Sequence, residues 1–207
     1  MDIAVFKKYP LLGILRGIHY SAVEPVIEAS AAAGLRAIEI TMNTADAPLL
    51  IKHARDKARG RLFVGAGTVL DTGALNEAVK AGAEFIVSPC LINEVCDYCA
   101  KNSIPHFPGA LTPAEVYGAY KSGCAMVKVF PARTVGAAYF NDLKGPFNHI
   151  ELLACGGINK DNIKQYFASG ASAAAFGESI FKKDLIAAGD FKKIFLMIEE
   201  LFRAIKD

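Results

Sequence analysis

The sequence predicts a single-domain α/β protein, a (β/α)8 barrel of the TIM type spanning residues 1–207. Three observations carry this. Short apolar runs alternate with longer segments of helical composition along the whole chain. The runs begin about 20 to 25 residues apart, the spacing of a strand followed by a crossover helix. They are apolar throughout rather than alternating with polar residues, as strands covered on both faces must be.

Eight runs have this character: Leu11-Leu12-Gly13-Ile14-Leu15, Ala37-Ile38-Glu39-Ile40, Leu62-Phe63-Val64-Gly65, Phe85-Ile86-Val87-Ser88, Ile104-Pro105-His106-Phe107, Met126-Val127-Lys128-Val129-Phe130, Glu151-Leu152-Leu153-Ala154 and Ala173-Ala174-Ala175-Phe176. The segments between them carry helix punctuation. Ser21 stands as a cap for a helix to Ala33, and Thr72 precedes another. Thr112-Pro113-Ala114-Glu115 combines a capping residue, Pro at the first helical position and an acid in the first turn. Asn159-Lys160-Asp161-Asn162 opens a further helix. Ala33-Gly34, Ala81-Gly82, Ser122-Gly123 and Ser169-Gly170 recur as stops just before a strand. The last segment, from Phe191, has apolar residues at helical spacing and reads as the final barrel helix.

Eight strands favour closure over an open sheet of five or six, which would leave two runs unexplained. A barrel usually takes about 250 residues, so 207 residues leave short loops. Gly65-Ala66-Gly67-Thr68-Val69-Leu70 lacks the third glycine of a dinucleotide fingerprint.

Composition narrows the partners. With 53% hydrophobic and 21% charged residues, the chain can bury enough surface to fold. The 23 Lys and Arg against 21 Asp and Glu give no basic excess for nucleic acid or an anionic membrane. No segment approaches the roughly 18 apolar residues of a membrane span, and charges stand where a signal peptide would be apolar. Five scattered cysteines (90, 96, 99, 124 and 155) fit reduced thiols, and a cytoplasmic protein is expected. Cys96 and Cys99 have the spacing of a redox or zinc pair, but they fall inside a helix and read as core thiols. The four histidines are dispersed, so no metal is expected.

Function should appear as polar residues that break apolar strands, because burying them is costly unless they are used or paired. Arg16 ends the first run, Glu39 interrupts the second and Lys128 the sixth. Alternation places Lys128 opposite Val127 and Val129, and Glu39 opposite Ile38 and Ile40. If the aliphatic residues face the helices, Lys128 and Glu39 share the barrel interior near its C-terminal mouth, where such barrels carry out chemistry. A purely structural Lys–Glu pair is the competing reading. A desolvated lysine favours imine formation, since burial disfavours the ammonium form and frees an amine to attack a carbonyl. The iminium then acts as an electron sink for carbon–carbon cleavage, with Glu39 moving protons. Arg16 and the Thr68 hydroxyl suit a substrate carboxylate. Together these describe a Schiff-base aldolase for a 2-keto acid, a small-molecule substrate. A phosphosugar isomerase or epimerase and an inactive ligand-binding barrel stand as alternatives of other classes.

The sequence resembles the bacterial 2-keto-3-deoxy-6-phosphogluconate (KDPG) and 4-hydroxy-2-oxoglutarate (KHG) aldolases over nearly its whole length. The shared stretches include Gly13-Ile14-Leu15-Arg16-Gly17, Ile38-Glu39-Ile40-Thr41, Val64-Gly65-Ala66-Gly67-Thr68-Val69, Ser88-Pro89, His106-Phe107-Pro108-Gly109, Val127-Lys128-Val129-Phe130-Pro131-Ala132, Gly145-Pro146-Phe147 and Gly156-Gly157-Ile158. The resemblance implies a homotrimeric class I aldolase without metal or cofactor. It casts Lys128 as the Schiff-base residue, Glu39 as general acid/base, Thr68 and Arg16 as carboxylate ligands, and Pro89 and Phe130 as pocket walls. A substrate phosphate would sit at Gly156, Gly157 and Gly177. Three positions depart from the family pattern: Asn43 replaces an Arg, Cys155 a Thr, and Glu178 a Ser. If it faces the site, Glu178 would repel a phosphate and favour a non-phosphorylated or differently configured 4-hydroxy-2-keto acid; if it turns to solvent, Ser179 and backbone amides would still hold a phosphate.

Overall fold

The computed structural model describes residues 1–206 and forms a parallel β-barrel wrapped by helices. A short helix α1 (Ile3–Lys8) precedes the repeat. Strand β1 (Leu11–Leu15) leads to α2 (Tyr20–Ala32), β2 (Ala37–Thr41) to α3 (Ala47–Ala58), and β3 (Phe63–Gly67) to α4 (Thr72–Lys80). Then come β4 (Ile86–Val87), α5 (Asn93–Lys101), β5 (His106–Phe107), β6 (Gly109–Ala110) and α6 (Pro113–Lys121). Strand β7 (Val127–Val129) is followed by two short helices, α7 (Ala132–Val135) and α8 (Ala138–Lys144). The chain ends with β8 (Leu152–Cys155), α9 (Ile163–Ala168), β9 (Ala173–Phe176), α10 (Lys183–Ala187) and α11 (Phe191–Lys206).

The sheet order is β5-β4-β3-β2-β1-β9-β8-β7-β6, parallel throughout. Nine segments replace the eight runs because the fifth is broken at Pro108, which has no N–H to give a ladder. Its first half pairs with β4 and its second with β7, in the register Ile86↔His106 and Gly109↔Lys128. The Lys128 N–H donates to the Pro108 carbonyl at 2.9 Å, which carries the closure across the break.

Two apolar regions follow from strand alternation. The larger lies between barrel and helices and holds Ile38, Ile40, Val127, Val129 and Leu152 with Ile194, Ile198 and Leu201 of α11. The smaller fills the barrel: Leu12, Ala37, Phe85, Val87, Phe107, Met126, Leu153, Cys155, Ala173 and Ala175. Phe6 of α1 belongs to this inner set. It is fully buried, meets Phe107 edge-on at 5.8 Å between ring centres, and stoppers the N-terminal end. Phe85 fits inside only because Gly65 faces it; a Cβ there would lie 2.5 Å from the ring. At such a filled position truncation of a Phe typically costs about 3–5 kcal/mol.

Some helix starts differ from the sequence reading. Helix α2 begins at Tyr20 with His19 in the cap position, so Ser21 lies in the first turn and hydrogen-bonds the His19 ring at 3.0 Å. Asp71, not Thr72, caps α4, accepting from the Ala74 N–H. Thr112 caps α6 as read, and Glu115 turns that cap into a reciprocal capping box. Cys96 and Cys99 are buried in α5. No helix is long and apolar enough to cross a membrane among the described residues.

Candidate active site

Parity decides what enters the barrel mouth. Lys128 takes the inward position on β7 because Val127 and Val129 are drawn to the helix layer, and Glu39 does so on β2 between Ile38 and Ile40. Both are nearly inaccessible, at 1% exposure for Glu39 and 6% for Lys128. Their charges influence each other, yet no N···O contact of 4.0 Å or less joins them. Glu39 Oε2 has no hydrogen-bond partner at all. Such an orphan is costly, and a structural ion pair would not leave it. The structural-pair alternative therefore fails on geometry.

Burial pushes the Glu39 carboxyl up to about 7, against the opposing pull of Lys128 and Arg16. That is the range in which a group both gives and takes protons near neutrality. Gly67, at the end of β3, is what lets the carboxyl stand where it does: a Cβ on Gly67 would lie 2.1 Å from Oε1. The next residue, Thr68, adopts φ +56°, an outlier for a β-branched side chain of the kind that accumulates at functional sites.

The other expected residues gather round this pair. Lys128 Nζ stands 5.0 Å from the centre of the Phe130 ring, which is itself exposed at the mouth. Cys155, on the neighbouring strand, lies close enough to feel the charges of Lys128, Glu39 and Arg16; burial still pushes its thiol up. Arg16 follows β1 at an exposed position, and the loop behind it is fastened where Gly17 N–H donates to Thr44 Oγ1 at 3.0 Å. Thr44 in turn contacts Thr41 Oγ1 at 3.0 Å, so the loops after β1 and β2 are held together. Pro89 is half-buried after β4, and its carbonyl abuts Gly109, where a Cβ would come within 2.1 Å.

Farther out, Gly156 and Gly157 have φ of +103° and +82°. Their turn is tied to the one after β9 by Ser179 Oγ, which donates to the Ile158 carbonyl at 2.8 Å. Among the described residues the Gly157 and Ser179 N–H groups make no hydrogen bond. Gly177 packs against Ile14 of β1. Glu178 is exposed and lines an open depression of about 410 Å³ with Lys182, Lys183 and Asp184. Asn43 is exposed on the loop after β2.

His106 belongs to the wall. Its Nε2 lies 3.1 Å from Ser88 Oγ, which donates to the Val69 carbonyl at 2.8 Å. Burial pulls its pKa down to about 4, and Nδ1 has no partner. Sequence reasoning missed the role of Gly67. The signal was there, since a glycine ends β3 two residues beyond Gly65, the register partner of Glu39, but only the folded register gives it meaning.

Comparison with known proteins identifies the family. Residues 3–197 match the family model described as KDPG and KHG aldolase. The chain is 33% identical to the 2-dehydro-3-deoxy-phosphogluconate aldolase of Pseudomonas aeruginosa, covering 82% of this chain and 77% of that protein. It is 31% identical to the KHG/KDPG aldolase of Escherichia coli, covering 88% and 85%. Among solved structures, the KDPG aldolase of Legionella pneumophila, with pyruvate captured at low pH as a covalent carbinolamine intermediate, superposes with a TM-score of 0.89. It is 25% identical, covering 96% of this chain and 97% of that one. An inward lysine, an orphaned buried carboxyl and a whole-length family match thus converge, and the chain belongs to the KDPG and KHG aldolase family of class I carbon–carbon lyases.

Proposed function

We propose that this enzyme cleaves 2-keto-3-deoxy-6-phosphogluconate, 4-hydroxy-2-oxoglutarate or both, releasing pyruvate with glyceraldehyde 3-phosphate or glyoxylate. Lys128 Nζ attacks the C2 carbonyl to give a carbinolamine, and loss of water gives the iminium. The C3–C4 bond then breaks as the C4 hydroxyl loses its proton; its electron pair passes into the iminium to form an enamine, and the aldehyde leaves. Protonation at C3 and hydrolysis return pyruvate and free Lys128. Glu39 moves these protons, and one observation carries the reading: a buried carboxyl with an unpartnered oxygen stands beside a buried lysine. Each needs the substrate to complete its interactions.

Arg16 and Thr68 hold the substrate carboxylate, and Pro89 and Phe130 wall the pocket. The free amides at Gly156-Gly157 and after Gly177 receive the far end of the substrate. The aldolase relatives of Pseudomonas aeruginosa and Escherichia coli support these substrates. We read the assembly as a cytoplasmic homotrimer, a reading supported by the family resemblance and by five unbridged thiols. Light scattering at three times the 22.1 kDa chain mass checks the trimer.

The test of function is trapping with pyruvate and borohydride, followed by peptide mass spectrometry. A reduced pyruvyl adduct on Lys128, absent in Lys128→Met together with activity, is the expected result. Full activity in Lys128→Met would overturn the reading and return the isomerase alternative.

A further inference from the structure

Arg133 belongs to none of the shared motifs, yet it stands at the mouth of the site. It lies on α7, five residues beyond Lys128, and its backbone N–H donates to the Gly156 carbonyl at 3.0 Å. Its side chain runs across Gly157: a Cβ on that glycine would lie 2.8 Å from Arg133 Cβ and 3.1 Å from its Cδ. A side chain at residue 157 would displace the arginine, so the glycine supplies the floor on which it rests. The guanidinium is exposed, and it forms no ion pair or hydrogen bond among the described residues.

These contacts order the mouth outward from the nucleophile. Lys128 Nζ is 5.0 Å from the Phe130 ring, and the Phe130 ring is 3.5 Å from where a Cβ of Gly156 would be. Gly157 follows, with its unpartnered N–H, and then Arg133. A substrate bound covalently at Lys128 and extending outward along this wall meets a planar cation with donors to spare. Such a fork matches the paired oxygens of a phosphate or a carboxylate.

We propose that Arg133 recognises an anionic far end of the substrate, phosphate or second carboxylate, at the Gly156-Gly157 turn, and so sets the enzyme's preference for doubly anionic over neutral-ended substrates. The inference rests on the aldolase reading above. It gives the Gly156-Gly157 turn a positive charge of its own, and Ser179 Oγ ties that turn to the one after β9 that carries Glu178.

The test compares kcat/KM in the intact enzyme for three 2-keto acids: 2-keto-3-deoxy-6-phosphogluconate, 4-hydroxy-2-oxoglutarate, and the neutral-ended 2-keto-3-deoxygluconate. Arg133→Ala is expected to lower kcat/KM at least tenfold for one or both anionic-ended substrates, mainly through KM. It should leave the neutral-ended one within twofold, and Arg133→Lys should recover part of the loss. The two anionic arms tell a phosphate site from a carboxylate site. An equal loss on all three, no loss on any, or a parent enzyme with no preference for an anionic end would overturn the proposal. Pyruvate trapping at Lys128 reports separately on the aldolase reading. A normal adduct in Arg133→Ala with an unchanged substrate ratio sinks only Arg133, whereas no adduct in the parent sinks the reading beneath it.

Discussion

The Glu39 side chain on β2 reaches along the barrel interior to Gly67 on β3, so closely that a methyl group on Gly67 would stand 2.1 Å from its carboxyl oxygen. The glycine therefore sets the position of the acid. Gly67→Ala is expected to displace the Glu39 side chain. A shift of about 1 Å at a reacting group costs about a hundredfold in rate. Steady-state kinetics should show that loss in kcat, with pyruvate still trapped on Lys128. Unchanged kcat would show that the carboxyl's position is not critical.

The Glu39 carboxyl titrates at about 7, so cleavage activity should rise with pH through that value as the base form appears. Glu39→Gln should abolish this limb and lower the rate by about 10² to 10⁴. A pH profile of kcat/KM for parent and variant decides.

Stability should change in the opposite sense. The ordinary carboxyl value is 4.5 and the folded one about 7, so between these the native state keeps a proton that the unfolded chain releases. Stability from this group is full below about 4.5 and is lost as pH rises through 7. The 2.5-unit difference amounts to about 3 kcal/mol as an order of magnitude. Urea midpoints at pH 5 and pH 8 should show a smaller alkaline loss in Glu39→Gln than in the parent.

His106 acts with the opposite sign. Its folded value of about 4 lies below the ordinary 6.5, so the unfolded chain gains a proton first and stability is lost as pH falls from 6.5 toward 4. The size is again about 3 kcal/mol. His106→Gln should be less stable than the parent at pH 7 but show a shallower acid limb. In the parent, the two groups offset each other between about pH 4.5 and 6.5.

Glu178→Ser tests whether the exposed carboxylate opposes a phosphate. A unit charge 4 Å away costs about 1 kcal/mol in water, a factor of about five. The expected result is a gain of that size in kcat/KM for the phosphorylated substrate and none for the neutral-ended one. No gain would overturn the idea that Glu178 repels the phosphate.

Much of this was legible in the sequence because strand parity is a local property. Ile38 and Ile40, or Val127 and Val129, state which way Glu39 and Lys128 point before any contact is known. The Thr112 cap is equally local. What escaped depends on closure. Pro108 divides one strand into two because its neighbours on either side are β4 and β7, a relation formed only when the ring closes. Gly67 reads as an ordinary glycine until register brings Glu39 against it, and Gly157, marked by the family pattern for a phosphate, shows its contact with Arg133 only in the fold. Helix α1 gave no signal at all, since Phe6 becomes a stopper only once a barrel exists for it to fill.

That stopper has a kinetic consequence. With Phe6 and Phe107 filling the N-terminal end of the barrel, a substrate can approach Lys128 only from the C-terminal mouth. Entry and exit must use the same door, and the fragment nearest that door is the aldehyde. It departs first and pyruvate last, while in synthesis pyruvate must load before the acceptor; product inhibition patterns should obey that order.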